Sequence, residues 1–231
     1  MSDSDDEGVC ERADNRIKIV VLGEPNVGKT CIIRKYCYDE FSRHYAPTAG
    51  ADFYIKRVEL PGKGEITVQI TDTGGAEQNT KMLEHYLFKA DIVLFVYDIT
   101  ICSSFDSLAT WLKTSVAILN AGERRVVMSV FGNKCDLEHK RGVRLDKTNS
   151  FMYENRLSNY FLSAKTGENV NACFVELLSK FFGVPMTSLE MEKQMSVVKA
   201  ELVSNSAPPA SKHRNKPAGT RIGQDSACLI Q

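Results

Sequence analysis

The 231-residue chain is 43% hydrophobic and 25% charged, which suits one well-buried domain with residues left over for tails. Its formal charge is zero, with 29 basic and 29 acidic residues, no run approaches the ~20 apolar residues of a bilayer span, and the N-terminus lacks the apolar stretch of a signal peptide. Its seven cysteines, Cys10, Cys31, Cys37, Cys102, Cys135, Cys173 and Cys228, have no CxxC spacing, so disulfide-framed and zinc-site classes are excluded and a reduced, cytosolic setting is the default.

Residues 1–15 hold six acids against Arg12 and read as a solvated, disordered head. Arg16–Leu22 (RIKIVVL) reads as a buried strand and Lys29–Tyr38 as a helix. Ala51–Leu60 and Glu65–Asp72 alternate apolar and polar residues around the turn Pro61–Gly64, so they predict an antiparallel hairpin. Ile92–Tyr97 and Val126–Phe131 are short apolar runs that bracket an amphipathic helix from about Ser103 to Leu119. Tyr160–Leu162 opens a last strand before a helix from Asn169 to Phe182. The alternation predicts an α/β domain over 16–183, a mostly parallel sheet with helices on both faces. Residues 184–203 place Met191, Met195, Val198 and Leu202 at helical spacing, an extension helix expected to dock on the domain. Residues 204–231, rich in Ser, Pro and Gly, predict a disordered tail.

The first strand runs into Gly23-Glu24-Pro25-Asn26-Val27-Gly28-Lys29-Thr30, which satisfies GxxxxGK[ST]. Between a strand and a helix, such a turn points backbone amides at phosphate oxygens and adds the positive end of the helix dipole. Lys29 would neutralise terminal phosphates, and the Thr30 hydroxyl would ligate magnesium. The stretch DTGGAEQ, Asp72 to Gln78, places an acid at a strand end and two glycines after it. Asp72 can hold magnesium through water, and Gly75 can offer its amide to a terminal phosphate because it has no side chain. Further on, Asn133-Lys134-Cys135-Asp136-Leu137 follows a strand at the sheet's C-terminal edge. A carboxylate there accepts two hydrogen bonds from guanine, whereas adenine would set an acceptor against an acceptor. Ser163-Ala164-Lys165 follows the last strand.

These four fragments, in this order over about residues 15 to 183, resemble the small GTPases of the Ras superfamily. The resemblance implies the P-loop NTPase fold of six strands, one of them antiparallel, with GTP or GDP and Mg2+ as cofactors. Phe41 and Thr48 in FSRHYAPTAG match the first switch, Phe41 beside the guanine and Thr48 on magnesium in the GTP state. Carried over, the phosphate contacts fall on Gly23, Asn26, Val27, Gly28, Lys29, Thr30 and Cys31, and catalytic work on Lys29, Thr48, Gly75 and position 76. The base contacts fall on Asn133, Lys134, Asp136 and Leu137 and on Ser163, Ala164 and Lys165. VYDIT and GNKCDL point to the Rab branch. The DTGG turn, the LPG hairpin, the VVKAELV segment and a single terminal cysteine point to a divergent subgroup of it.

Ala76 stands where this family usually carries the glutamine that orients the attacking water, which predicts slow unaided hydrolysis. Pro25 removes a backbone donor and would crowd the γ-phosphate and an incoming arginine. A helix starting near Glu77 would turn Gln78 to solvent. Activating proteins of the TBC type bring a glutamine as well as an arginine, so a partner can replace what Ala76 lacks. Thr71 stands where most Rabs have tryptophan, which puts the effector surface read there in doubt. The chain closes Cys228-Leu229-Ile230-Gln231, a CaaX box favouring a farnesyl group on Cys228. One lipid holds only reversibly, so release by a prenyl-binding solubiliser is implied. Lys212, Arg214, Lys216 and Arg221 read equally as a contact with anionic lipid and as solvated linker. Without aromatic interleaving or a recognition module, nucleic acid is not an expected partner.

Three functions are open on these residues. One is a membrane-tethered switch with an exchange factor, an activating protein and effectors, acting in transport at the cytoplasmic face of membranes, with endosomal or ciliary traffic suggested by the resemblance. Another is a constitutively GTP-bound docking module. A third, an ATPase or nucleotide kinase, is disfavoured by Asp136.

Overall fold

The computed structural model describes residues 15–75, 80–119 and 126–185. Ala76, Glu77 and Gln78, the N-terminal head, Cys228 and the chain from residue 186 on lie outside them, and with these the expected extension helix and tail. The elements are β1 (Arg16–Leu22), α1 (Lys29–Tyr38), β2 (Ala51–Leu60), β3 (Gly64–Thr73), α2 (Thr80–Leu87) and β4 (Ile92–Asp98). There follow α3 (Cys102–Asp106), α4 (Leu108–Leu119), β5 (Val127–Asn133), a 3₁₀ turn (Cys135–Lys140), α5 (Leu145–Asn155), β6 (Ser158–Phe161) and α6 (Val170–Phe182).

The six strands form one sheet in the order β2-β3-β1-β4-β5-β6. Only the β2–β3 pair is antiparallel, as expected from the sequence. The hairpin turns as its chemistry dictates: Lys63 N donates to Leu60 O at 3.0 Å, with Pro61 first in the turn and Gly62 second at φ 77°. Only a residue free of Cβ repulsion takes that φ readily.

Period-two alternation sorts β1 into two cores. Ile17, Ile19 and Val21 pack with Ile32, Ile33 and Tyr36 of α1 and Phe174 and Leu177 of α6. Val20 and Leu22 pack on the other side with Leu83 and Leu87 of α2, Trp111 of α4 and Met152 of α5. Tyr36 and Phe174 stack at 3.8 Å between ring centroids, joining the helix after the phosphate loop to the last helix. Every residue of the central β4 is buried, which is why it reads as an unbroken apolar run.

Three elements differ most clearly from expectation. The helix expected over 103–119 is assigned as α3 and α4, separated at Ser107, whose N–H still reaches Ser103 O at 3.0 Å. The last strand is Ser158–Phe161 rather than 160–162. Helix α5 was not expected at all: LDKTNSFMYEN buries only Thr148 and Met152, too little for an apolar stripe. Among the described residues no helix is long and apolar enough to cross a membrane.

Candidate functional site

Loop 23–28 joins the C-terminal end of β1 to α1 with three residues at positive φ: Gly23 at 144°, Asn26 at 61° and Gly28 at 96°. Two of the glycines are required by their neighbours as well as by φ. A Cβ on Gly23 would lie 2.2 Å from Val96 O, and one on Gly28 would lie 2.3 Å from Asn133 Nδ2. Lys29, 6% exposed, folds back so that its ammonium donates to Gly23 O and Glu24 O, each at 2.9 Å. Burial lowers its pKa to about 8 against the pull of Asp72 and Glu24.

Thr30, Thr48 and Asp72 meet at one point. Thr30 Oγ1 donates to Asp72 Oδ2 at 2.6 Å and lies 3.1 Å from Thr48 Oγ1. Asp72 is fully buried, its Oδ1 has no hydrogen-bond partner, and burial raises its pKa to about 6 despite the Thr30 bond and the Lys29 charge. A buried carboxylate with an unsatisfied oxygen beside two hydroxyls is a set of hard oxygen donors, which fits a magnesium ion that also takes phosphate oxygens and water. Gly74 and Gly75 press the turn after β3 against its surroundings. A Cβ on Gly74 would lie 2.6 Å from Thr48 O, and one on Gly75 2.3 Å from Pro25 N and 2.4 Å from Glu24 C.

At the other end, Asn133 acts as a brace. Buried at 2% exposure, its Nδ2 donates to Val27 O at 2.9 Å and its Oδ1 accepts from Ala164 N at 3.1 Å. Lys134, at φ 72°, spans Asn26 O at 3.0 Å and Asp98 Oδ2 at 2.7 Å. Asp98, 1% exposed, also accepts from Thr100 N and Oγ1 at 2.9 and 2.7 Å. Asp136 accepts from Ser163 Oγ at 2.7 Å and Lys165 Nζ at 3.1 Å. Burial pushes its pKa up, but these bonds and the Lys165 charge outweigh it and hold the carboxyl below the usual range.

One cavity of about 470 Å³ runs between the two ends, a size suited to a nucleotide-scale ligand. Of the residues singled out in the sequence, Asn26, Gly28, Lys29, Thr30 and Cys31 line it at the phosphate-loop end, with Phe41, Thr48 and Gly75 beside them. Asn133, Lys134, Asp136, Leu137, Ala164 and Lys165 line the far end. Gly23, Val27, Asp72 and Ser163 stand behind the wall and act through the bonds just described. Ser42 to Ala46 also line the cavity and were not foreseen, because an irregular loop has no periodicity that marks which residues face inward. Thr71 is buried, while Phe53, opposite it on β2, and Ile55 are exposed.

A family model described as the Ras family matches residues 18–182. The Ras-related protein Rab-28 of Caenorhabditis elegans is 33% identical over 82% of this chain and 77% of its own. The Ras-related protein Rab-13 of Rattus norvegicus is 36% identical over 71% of this chain and 79% of its own. The Ras-related protein Rab-10 of Caenorhabditis elegans is 35% identical, with coverages of 71% and 80%.

Proposed function

Because the chain belongs to the Ras family of small GTPases, in its Rab branch, we propose that it is a GTP/GDP-regulated switch whose site residues take the roles set out above. The observation that carries this reading is the single cavity with Lys29 and the Thr30, Thr48 and Asp72 cluster at one end and Asp136 at the other. Lys29 holds the terminal phosphates, and the loop amides with the α1 N-terminus hold the remaining charge. Thr30, Thr48 and Asp72 hold magnesium, which when bound supplies charge neutralisation to the phosphates. Gly75 reports the γ-phosphate from the turn after β3, and Thr48 from the first switch, so both segments change with hydrolysis.

Asp136 selects the base. Its carboxylate is kept ionised by Ser163 and Lys165, so it is an acceptor for the two adjacent N–H groups of guanine. The test is Asp136→Asn, which puts an amide donor where one acceptor stood. GDP affinity should fall by at least about a hundredfold through unpaired buried polar groups, while xanthosine diphosphate, with a carbonyl in place of the amino group, should gain. Unchanged base preference would refute the assignment.

Hydrolysis is slow without a partner in this reading, because Ala76 lacks the group that positions water. An activating protein of the TBC type supplies it, an exchange factor opens the site, and effectors read the GTP state. A farnesyl on Cys228 tethers the chain to the cytoplasmic face of endosomal or ciliary membranes, where it serves vesicle transport, and a prenyl-binding solubiliser maintains a cytosolic pool. Pro25 and Ala76 favour a second reading, a GTP-bound docking module. Ala76→Gln separates the causes: a large gain in single-turnover hydrolysis identifies the missing glutamine, and no gain means that Pro25 or another feature limits the rate.

A further inference from the structure

The phosphate loop carries an acid. Glu24 lies between Gly23 and Pro25, its backbone carbonyl takes one of the two Lys29 bonds, and its charge acts on the Lys29 ammonium. A carboxylate at that place opposes the site's purpose twice, since it repels phosphate and competes for the lysine. In the fold its side chain is drawn toward α4: Trp111 Nε1 donates to Glu24 Oε1 at 3.2 Å, across 87 positions of sequence. Trp111 is the only tryptophan of the chain. It is 2% exposed and packs in the same core as Leu83 and Leu87 of α2, the helix that follows the Asp72–Gly75 turn. Gly75 in turn abuts the Glu24–Pro25 peptide. The indole N–H therefore reaches the phosphate loop from a rigid, buried position.

We propose that Trp111 is a positioning residue that holds the Glu24 carboxylate off the phosphate path, and that this pair sets how fast guanine nucleotide leaves the site. The inference rests on the nucleotide reading above and adds to it a control on release. Without the indole donor the carboxylate loses one of the contacts that hold it toward α4 and shifts toward Lys29, displacing charge that the phosphates need.

The test is release of fluorescent GDP from the full chain, chased with unlabelled GDP, for the wild type, Trp111→Phe, Glu24→Gln and the double variant. Phenylalanine keeps the ring in the core but removes the donor, and release should accelerate about tenfold, the scale of one hydrogen bond to a charged group. The acceleration should shrink at high salt, as a charge effect does and a packing defect does not. Glu24→Gln should release more slowly than the wild type, and combined with Trp111→Phe it should cancel most of the acceleration. Glu24 is only half-buried, so Glu24→Gln tests the idea even where Trp111→Phe folds poorly. A wild-type chain that loads normally, with Trp111→Phe unchanged, with Glu24→Gln no slower than the wild type, or with the double variant as fast as Trp111→Phe, overturns this inference alone. A wild-type chain that takes up no fluorescent GDP overturns the nucleotide reading and this inference with it.

Discussion

Asp98→Asn tests the far end of the site in a way the sequence motifs do not suggest. Asp98 sits at the end of β4, almost fully buried, with Oδ2 on Lys134 Nζ at 2.7 Å and Oδ1 on the N–H and hydroxyl of Thr100. Asparagine keeps an oxygen for Thr100, so the strand end is preserved. It replaces the oxygen facing Lys134 with an amide, a donor set against a donor. A hydrogen bond to a charged group is worth about 1.5–3 kcal/mol, and Lys134 is about a quarter exposed, which moderates the ~3–5 kcal/mol of breaking a fully buried pair. Lys134 retains Asn26 O at 3.0 Å, so only part of the loss reaches the nucleotide. The expected result is roughly a tenfold faster release of fluorescent GDP and a lower melting temperature, both measured on the full chain. In a Lys134→Ala background the same substitution should add little, since its partner is gone. Wild-type release from a folded Asp98→Asn variant, or full additivity with Lys134→Ala, would refute the reasoning.

Lys29 predicts a pH profile. Burial lowers its pKa to about 8, so in the free site it is cationic below that value and neutral above it. GDP affinity should hold below about pH 8 and weaken about tenfold between pH 7 and 9, and a Lys29→Arg variant, charged throughout, should show a flatter profile over the same range. Equal slopes in titration calorimetry would remove Lys29 as the cause. Gly75→Ala drives a Cβ into the Glu24–Pro25 peptide, where neither atom is the end of a flexible side chain. The turn must retreat from the phosphate loop, so affinity for a non-hydrolysable GTP analogue should fall by more than affinity for GDP. Equal losses for both nucleotides would deny Gly75 a γ-phosphate role.

How much of this was legible in the residues follows from the range of each interaction. The phosphate loop, the hairpin and the buried strands announce themselves because turn chemistry and period-two patterning are local, and the mostly parallel character of the sheet follows from the strand-helix alternation. Helix α5 was missed because a helix held by Thr148 and Met152 on an otherwise polar surface has almost no apolar period. Asn133 is expected to frame the base; it lines the cavity, and its amide also braces Val27 and Ala164. That brace joins residues 106 and 31 positions apart, and only the parallel arrangement of β1, β4, β5 and β6 makes them neighbours. The Asp98–Lys134 pair and the Glu24–Trp111 bond were invisible for the same reason. The first is set by which strand ends share one sheet edge and the second by α4 packing beside the phosphate loop, and single residues far apart carry no sign of either.

The most direct measurement is the nucleotide carried by the purified full-length chain, released by denaturation and resolved chromatographically. The account predicts close to one guanine nucleotide per chain, lost together with magnesium on chelation and replaced by added GDP but not ADP. A chain that carries adenine nucleotide, or that binds neither GDP nor GTP in the presence of magnesium, would contradict it.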